Sequence, residues 1–296
     1  MESSKKFRLV ALDLDGTTLD ADHQLSNRTI EVLRDLSRRG VMIAIATGRS
    51  SNSVMKYVDL LKLQQDLTPM VVFNGSVCLM YHNAASRVEE LFSTPIDPSA
   101  ARLLIDLVVR EELVAQLYNG TTGEVYAKPC SAVHTELLLR YERLVGKAQV
   151  VVQDYEDAHQ CCPAGSAKML VLTHDPDAFM QTCSAALPTG LFHMIRGSPD
   201  PFFVEFLRPQ SNKGTALATL CEHLGVPLKQ TIAFGDGEND IEMLTCAGLG
   251  VAMKNARPAV KQAANVVSDF ANYEDGVAIQ LEKFLALGYL DVDVAV

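Results

Sequence analysis

The chain has 296 residues, 48% of them hydrophobic and 21% charged, a globular composition that excludes a disordered chain, a coiled coil and a collagen-like repeat. Asp and Glu number 36 against 26 Lys and Arg, and a net charge of −10 without a Lys/Arg-rich run argues against a nucleic-acid partner. The length predicts two domains or one large α/β unit.

Phe7 to Leu12 reads as a strand ending in Asp13-Leu14-Asp15-Gly16-Thr17. Ser26 is placed to cap a helix that runs to about Arg39 and stops at Gly40. Val41 to Ala46 is a second apolar run, ending at Thr47-Gly48-Arg49, and a helix follows from about Ser51 to Leu63. Met70 to Phe73 is a third run, ending at Asn74-Gly75. Apolar runs alternating with amphipathic helices predict βαβ units and a parallel sheet.

The rhythm then changes. Asp97-Pro98 starts a helix to about Arg110. Leu113 to Tyr118 and Glu124 to Lys128 read as a hairpin, followed by a helix over about Ala132–Leu144. Residues 153–166 give no clear reading. Lys168 to Leu172 is a strand, a helix follows from about Pro176, and 191–195 with 202–207 form a hairpin across Gly197-Ser198-Pro199-Asp200. This order predicts an α+β module over 84–208. The earlier pattern then returns: a helix from Lys213 to Leu224, a strand Thr231–Phe234 ending at Gly235-Asp236-Gly237, a short helix from Asn239, a strand at Leu249–Met253, a helix from about Ala259, a short strand at 265–267 and a last helix from about Glu274. The expected fold class is α/β, a Rossmann-like doubly wound parallel-sheet core (1–83 and 209–296) with an inserted α+β cap domain (84–208).

Seven cysteines are dispersed, and neither a disulfide framework nor a zinc site is suggested. Cys161-Cys162 reads as two thiols in or near a loop. Met1 to Lys6 leaves no room for a targeting peptide before the first strand, and no apolar run approaches the ~18 residues of a membrane span. The expectation is a cytoplasmic protein with no membrane partner, a monomer or weak homo-oligomer.

Four strand ends carry polar side chains: Asp13 and Asp15, Thr47, Asn74, and Asp236 with Asp240 beside it. In open α/β sheets ligands bind outside the carboxyl ends of the strands, so these residues are predicted to share one crevice. Several carboxylates in one crevice take up protons or bind a cation. With oxygen ligands and no His or Cys, the cation expected is hard, Mg²⁺ first, and Mg²⁺ commonly partners phosphate. Lys213 can supply a compensating charge, and the turn glycines leave backbone N–H groups open to an anion.

Asp13-Leu14-Asp15-Gly16-Thr17, Ala46-Thr47-Gly48-Arg49, Lys213-Gly214 and Gly235-Asp236-Gly237-Glu238-Asn239-Asp240 occur in the order of the four motifs of haloacid dehalogenase-like phosphatases. The chain resembles the Cof-type branch, which carries a large cap between the second and third motifs. Phe73-Asn74-Gly75, Val251 to Ala256 and Glu274 to Ala278 are further Cof-like stretches. Thr18 stands where Leu is more usual, and Asn212 where Ser is more usual. The resemblance implies a nucleophile at Asp13 and a general acid–base at Asp15, whose pKa is expected to be raised by its charged neighbours. It implies phosphate-binding roles for Thr47, Gly48, Lys213 and Asn239. It implies Mg²⁺ binding by Asp13, Asp15 (through its carbonyl) and Asp236, with Asp240 behind them or reaching the ion through water.

The activity implied is Mg²⁺-dependent hydrolysis of a small phosphorylated metabolite, such as a sugar phosphate, through an aspartyl phosphate. A phosphomutase-type phosphotransferase and a non-catalytic metabolite-binding protein are the alternatives. A P-loop kinase is disfavoured because no GxxxxGK[ST] occurs. The resemblance assigns substrate choice to the cap, with Tyr118, Asn119, Lys128, His193 and Arg196 as candidate contacts and Arg49 on the core side. His23 reads as a loop histidine after the first motif.

Overall fold

The computed structural model describes residues 6–63, 67–145, 148–197 and 202–290. The chain forms two compact units, Met1–Phe92 with Asn212–Val296, and Ser93–Ser211. The first opens with β1 (Leu9–Leu12), α1 (Asn27–Arg38), β2 (Met42–Ala46), α2 (Ser51–Leu61), β3 (Leu67–Val72), β4 (Val77–His82) and β5 (Arg87–Ser93). The second contains α3 (Pro98–Arg110), β6 (Val114–Tyr118), β7 (Val125–Ala127), α4 (Ala132–Val145), β8 (Val150–Val151), α5 (Tyr155–Gln160), β9 (Met169–Leu172), α6 (Pro176–Ala186), β10 (His193–Arg196) and β11 (Phe203–Leu207). The first then resumes with α7 (Lys213–Leu224), β12 (Thr231–Gly235), α8 (Ile241–Cys246), β13 (Leu249–Ala252), α9 (Pro258–Ala263), β14 (Val266–Val267) and α10 (Gly276–Ala286).

The first unit is built on an eight-stranded sheet of order β14-β13-β12-β1-β2-β3-β4-β5. Pairing is parallel from β14 through β3, and β4 runs antiparallel to β3. β1 lies at its centre, and Leu9, Val10, Ala11 and Leu12 are all buried because the strand is covered on both faces. The chain leaves β1 toward β2 on one side and returns through β12 on the other. That reversal of strand order opens a crevice at the carboxyl ends of β1 and β12. Local sequence sets the helix starts: the Ser26 side chain accepts from Thr29 N–H at α1, and Asn212 caps α7 by accepting from Thr215 N–H at 2.8 Å. Asn212 is therefore a full replacement for Ser in that place.

The second unit carries a six-stranded sheet of order β10-β11-β9-β6-β7-β8, antiparallel except for β7 with β8. Ala115, Leu117, Met169, Val171, Val204 and Phe206 join one apolar core with residues of α3 and α6. Alternation sends Gln116, Tyr118 and Glu205 to the opposite face.

One boundary differs from the sequence reading, and one unread stretch holds a helix. The boundary expected at 84–208 lies at Ser93–Ser211, because Arg87–Ser93 forms the edge strand β5 of the first sheet. The unread stretch 153–166 contains α5, started by a capping box in which Asp154 accepts from Asp157 N–H at 2.9 Å and Asp157 accepts from Asp154 N–H at 3.3 Å. Strands β10 and β11 pair as expected, and the turn predicted at 198–200 lies outside the described residues. Among the described residues, no helix is long and apolar enough to cross a membrane.

Candidate active site

Asp13 follows the last residue of β1. Its N–H donates to the Phe234 carbonyl on β12 at 3.1 Å, and its own carbonyl accepts a short hydrogen bond from the Thr18 hydroxyl. Lys213 stands in the first turn of α7, fully buried, and its Nζ donates to Asp13 Oδ1 and Asp240 Oδ1, each at 2.6 Å. Asp240 Oδ2 accepts from the N–H groups of Asp236 and Gly237 at 3.0 Å each, so both oxygens of Asp240 serve protein donors. Asp236 Oδ1 accepts from the Thr17 hydroxyl at 2.9 Å.

Carboxylate oxygens of Asp13, Asp236 and Asp240 thus lie within 4.8 Å of one another. Three carboxylates and one ammonium leave two negative charges in a largely buried place. The titration behaviour follows. Burial, and then repulsion from Asp240, push the Asp13 carboxyl well above its ordinary value against the pull of Lys213. Burial and Asp240 push Asp236 up to about 6. Burial works against the charge on Lys213, but Asp13 and Asp240 hold its pKa above the ordinary lysine value.

Asp15 behaves differently from expectation. Burial alone would raise its pKa, but Arg49 overrides it: Nε and the terminal nitrogen of its guanidinium donate to the two carboxylate oxygens at 2.6 and 2.5 Å, and the pKa is lowered. The spacing of motif residues carried the like charges of Asp13 and Asp236 but not this bidentate cation. His23 is more than a loop residue, with Nδ1 at 3.0 Å from Asp15 Oδ1 and 3.1 Å from Arg49. The Tyr57 hydroxyl donates to the His23 carbonyl, and the Arg49 guanidinium stands 5.4 Å from the centre of the Tyr57 ring.

Thr47 is buried beyond the end of β2; its N–H donates to Val71 O and its hydroxyl accepts from Arg49 N–H at 3.2 Å. After β3 the chain passes through Phe73, Asn74 and Gly75 with φ of 51°, 54° and 100°. A buried phenylalanine in the left-handed region costs about 1–2 kcal/mol. Asn74 Oδ1 accepts from Asn239 Nδ2 at 2.8 Å.

Asp13, Lys213, Asp236 and Asp240 therefore share one cluster, while Asn239 joins Asn74, and Asp15 pairs with Arg49. Three of the candidates in the second unit have local partners. Tyr118 is buried, its hydroxyl donating to Gln116 Oε1 at 2.9 Å. Asn119 shapes its loop, donating to Cys161 O and accepting from Thr121 and Thr122 N–H. Arg196 is exposed and paired with Asp177 at 2.8 and 3.0 Å. Lys128 and His193 are half-buried. The sequence places Asn74 in the shared crevice without a partner, and gives no site role to Thr17 or Thr18. The two hydroxyls directly after the Asp-rich stretch are the signal that could have found Thr17 and Thr18.

The sequence profile of the haloacid dehalogenase-like hydrolases matches residues 10–281. The chain belongs to the haloacid dehalogenase-like hydrolases. A 5-amino-6-(5-phospho-D-ribitylamino)uracil phosphatase of Bacillus subtilis is 30% identical over 284 residues, covering 94% of this chain and 98% of that one. An HMP-PP phosphatase of an Enterobacter species is 30% identical over 257 residues, 85% of each. A haloacid dehalogenase-like hydrolase from Bacteroides thetaiotaomicron shares the fold with a TM-score of 0.79 at 24% identity, over 94% of this chain and all of that one. Within the haloacid dehalogenase-like hydrolases the enzyme class is that of the phosphoric monoester hydrolases, as its relatives are.

Proposed function

We propose that this enzyme is a Mg²⁺-dependent phosphatase that releases phosphate from a small phosphorylated metabolite through an aspartyl phosphate on Asp13. The observation that carries the reading is the Asp13–Lys213–Asp240 chain at the end of the central strand, with Asp236 alongside.

The cluster's donor set fits the metal. The donors are carboxylate oxygens, and two negative charges stand uncompensated. Asp13 and Asp236 would hold the ion with the Asp15 carbonyl, and Asp240 would act behind them, since its oxygens already serve Lys213 and two backbone N–H groups. When bound, Mg²⁺ supplies positive charge that reduces the repulsion between a carboxylate and a phosphate.

Asp13 attacks phosphorus, forming an acyl phosphate, while the ester oxygen leaves with a proton from Asp15. Water then attacks the acyl phosphate, giving its proton to Asp15 and restoring Asp13. Lys213 steadies Asp13 and the phosphoryl oxygens together, and Thr47, Gly48 and Asn239 complete the phosphate site. Asp15 serves as an acid only when Arg49 releases it, so the pair must open in the substrate complex. The unit Ser93–Ser211 is the substrate-selecting cap in this reading, with Lys128 and His193 as its remaining candidate contacts. Two relatives named as phosphatases of small phosphorylated metabolites support the substrate class.

The test is phosphate release from a panel of metabolite phosphates with Mg²⁺, beside Asp13→Asn. Release by the parent alone is expected. Phosphoryl transfer to a sugar hydroxyl without phosphate release would favour the mutase, and turnover by Asp13→Asn at the parent's rate would overturn the nucleophile.

A further inference from the structure

The turn Phe73-Asn74-Gly75 belongs to none of the four motifs, yet it touches three of them. Phe73 N–H donates to Arg49 O and Asn74 N–H donates to Thr47 O, both at 3.0 Å. The Asn74 side chain backs Gly48 so closely that a Cβ there would lie 2.9 Å from Asn74 Oδ1. The same oxygen accepts from Asn239 Nδ2 at 2.8 Å. Gly75, at φ 100°, approaches the residue before Lys213, where a Cβ would meet Asn212 O at 2.2 Å. The loops so gathered carry Thr47 and Gly48, Lys213, and Asn239, the four residues read above as phosphate-binding.

We propose that Asn74 is a positioning residue for the phosphate site, acting through Asn239 and Gly48. The inference rests on that reading of the site. Three successive positive φ values are held by a chain with glycine only at the third place. Strained backbone of this kind persists where surrounding structure over-determines it, and it is enriched at functional sites. Asparagine meets the local demands together. It tolerates the left-handed region. Its amide oxygen accepts from Asn239, which fixes the rotation of that amide. It also brings no charge, whereas Asp at this place would add a negative charge to a region that must admit an anion.

The test measures binding of orthophosphate with Mg²⁺ by calorimetry, which does not depend on turnover, together with kcat/KM on several esters. Asn74→Gly keeps the backbone conformation and removes the acceptor. It is expected to weaken orthophosphate about tenfold, the loss of one hydrogen bond, and to lower kcat/KM by a common factor on every ester, with Tm unchanged within a few degrees. Asn239→Ala supplies the second edge of a double-mutant cycle. In the Asn74→Gly background it should change orthophosphate affinity less than twofold. In the Asn74→Asp background, which keeps both the conformation and the acceptor, it should cost as much as in the parent; any uniform effect of the added charge cancels in this comparison. If Asn74→Gly fails to fold, the Asp background alone decides.

Additive losses, unchanged orthophosphate binding in Asn74→Gly, or disappearance of the Asn239→Ala effect in the Asp background would overturn the role. A parent chain that binds orthophosphate and obeys the cycle but hydrolyses no ester would support the positioning role while sinking the phosphatase reading. A parent that binds no orthophosphate would overturn both.

Discussion

Two buried lysines, one in each unit, show how differently a fold can use the same charge. Lys168, just before β9, is 5% exposed; its Nζ lies 3.4 Å from Glu205 Oε2 and 4.9 Å from the centre of the Tyr118 ring. Burial opposes its charge, and Glu205 and Tyr141 restore it, so its pKa is raised. One ammonium meets one carboxylate, with the Tyr118 hydroxyl between Gln116 Oε1 at 2.9 Å and Tyr141 Oη at 3.3 Å. Lys213 is wholly buried too, but with three carboxylates nearby, two of them hydrogen-bonded to it. The balanced pair is complete as it stands. The unbalanced cluster keeps two carboxyls, Asp13 and Asp236, whose pKa values are raised, an electrostatic state that a cation bound beside them would relieve.

The comparison breaks most sharply at Asp13. Asp13→Asn removes one negative charge from the crowded cluster and leaves Lys213 with Asp240. Phosphate release should fall by at least ~10³-fold, as for other nucleophile deletions, while Tm in chelator stays at or above the parent's. A variant that loses Tm along with activity would show that the cluster is structural in the way Lys168–Glu205 is.

Glu205→Gln should do the opposite. It strands a buried ammonium, at a cost of about 3–5 kcal/mol. Thermal unfolding should therefore begin at a temperature lower by roughly 10 °C. Lys168→Met with Glu205→Leu should recover most of that loss, because a buried pair replaced by apolar side chains is often neutral. Equal destabilisation by the single and double variants would mean that the pair contributes more than charge balance.

How much of this is legible in the sequence depends on the range of each interaction. The first sheet is readable because β1, β2 and β12 are short apolar runs that end in turn residues and Ser26 announces α1, as Asp97 announces α3 in the second unit. Asp13 and Asp236 are readable for the same reason, since each directly follows a strand, and Asp240 lies four residues beyond Asp236. Strand β5 was missed because Arg87, Glu89 and Glu90 give it the polarity of a loop, and it is a half-exposed edge. The pairing of Asp15 with Arg49 was illegible: 34 residues separate them, and only the packed sheet brings the guanidinium to the carboxylate. The direction of the Asp15 shift was therefore misjudged from its charged neighbours in sequence.

A pH series sharpens the contrast with a smaller effect. Burial and Asp240 push Asp236 up to about 6 in the folded chain against an ordinary 3.8, so between these values the folded state binds more protons than the unfolded one. Its contribution is then greatest at low pH and is lost as pH rises through 6. In chelator, Asp236→Asn keeps the acceptor for Thr17 but stays neutral, so it should gain Tm relative to the parent between pH 4 and 7. Millimolar Mg²⁺ should raise the parent's Tm at pH 7 by mass action and leave the variant nearly unmoved. A parent–variant difference that is flat with pH would mean that Asp236 carries no excess negative charge. Lys168→Met/Glu205→Leu should show no Mg²⁺ dependence beyond the parent's, because the balanced pair binds no ion.

The smallest effect is expected at Thr18, and it tests how far the unbalanced cluster relies on neutral neighbours. The Thr18 hydroxyl donates to the carbonyl of Asp13, while the Asp13 N–H is held by Phe234. The backbone on both sides of Asp13, the proposed nucleophile, is thus fixed just beyond β1, and its side chain meets the cluster from a firm base. Leucine, the more usual residue at this place in Cof-type sequences, could not make that bond. Thr18→Val removes the hydroxyl at nearly constant volume, leaving a buried carbonyl without its donor, a loss of roughly 1 kcal/mol for a neutral hydrogen bond. If that loss falls on the orientation of Asp13, kcat should drop about threefold to fivefold with KM unchanged, and Thr18→Ser should restore it. If it falls on the fold alone, Tm should drop by a few degrees at constant kcat, and Thr18 would stand with Lys168 as a structural residue of its own unit.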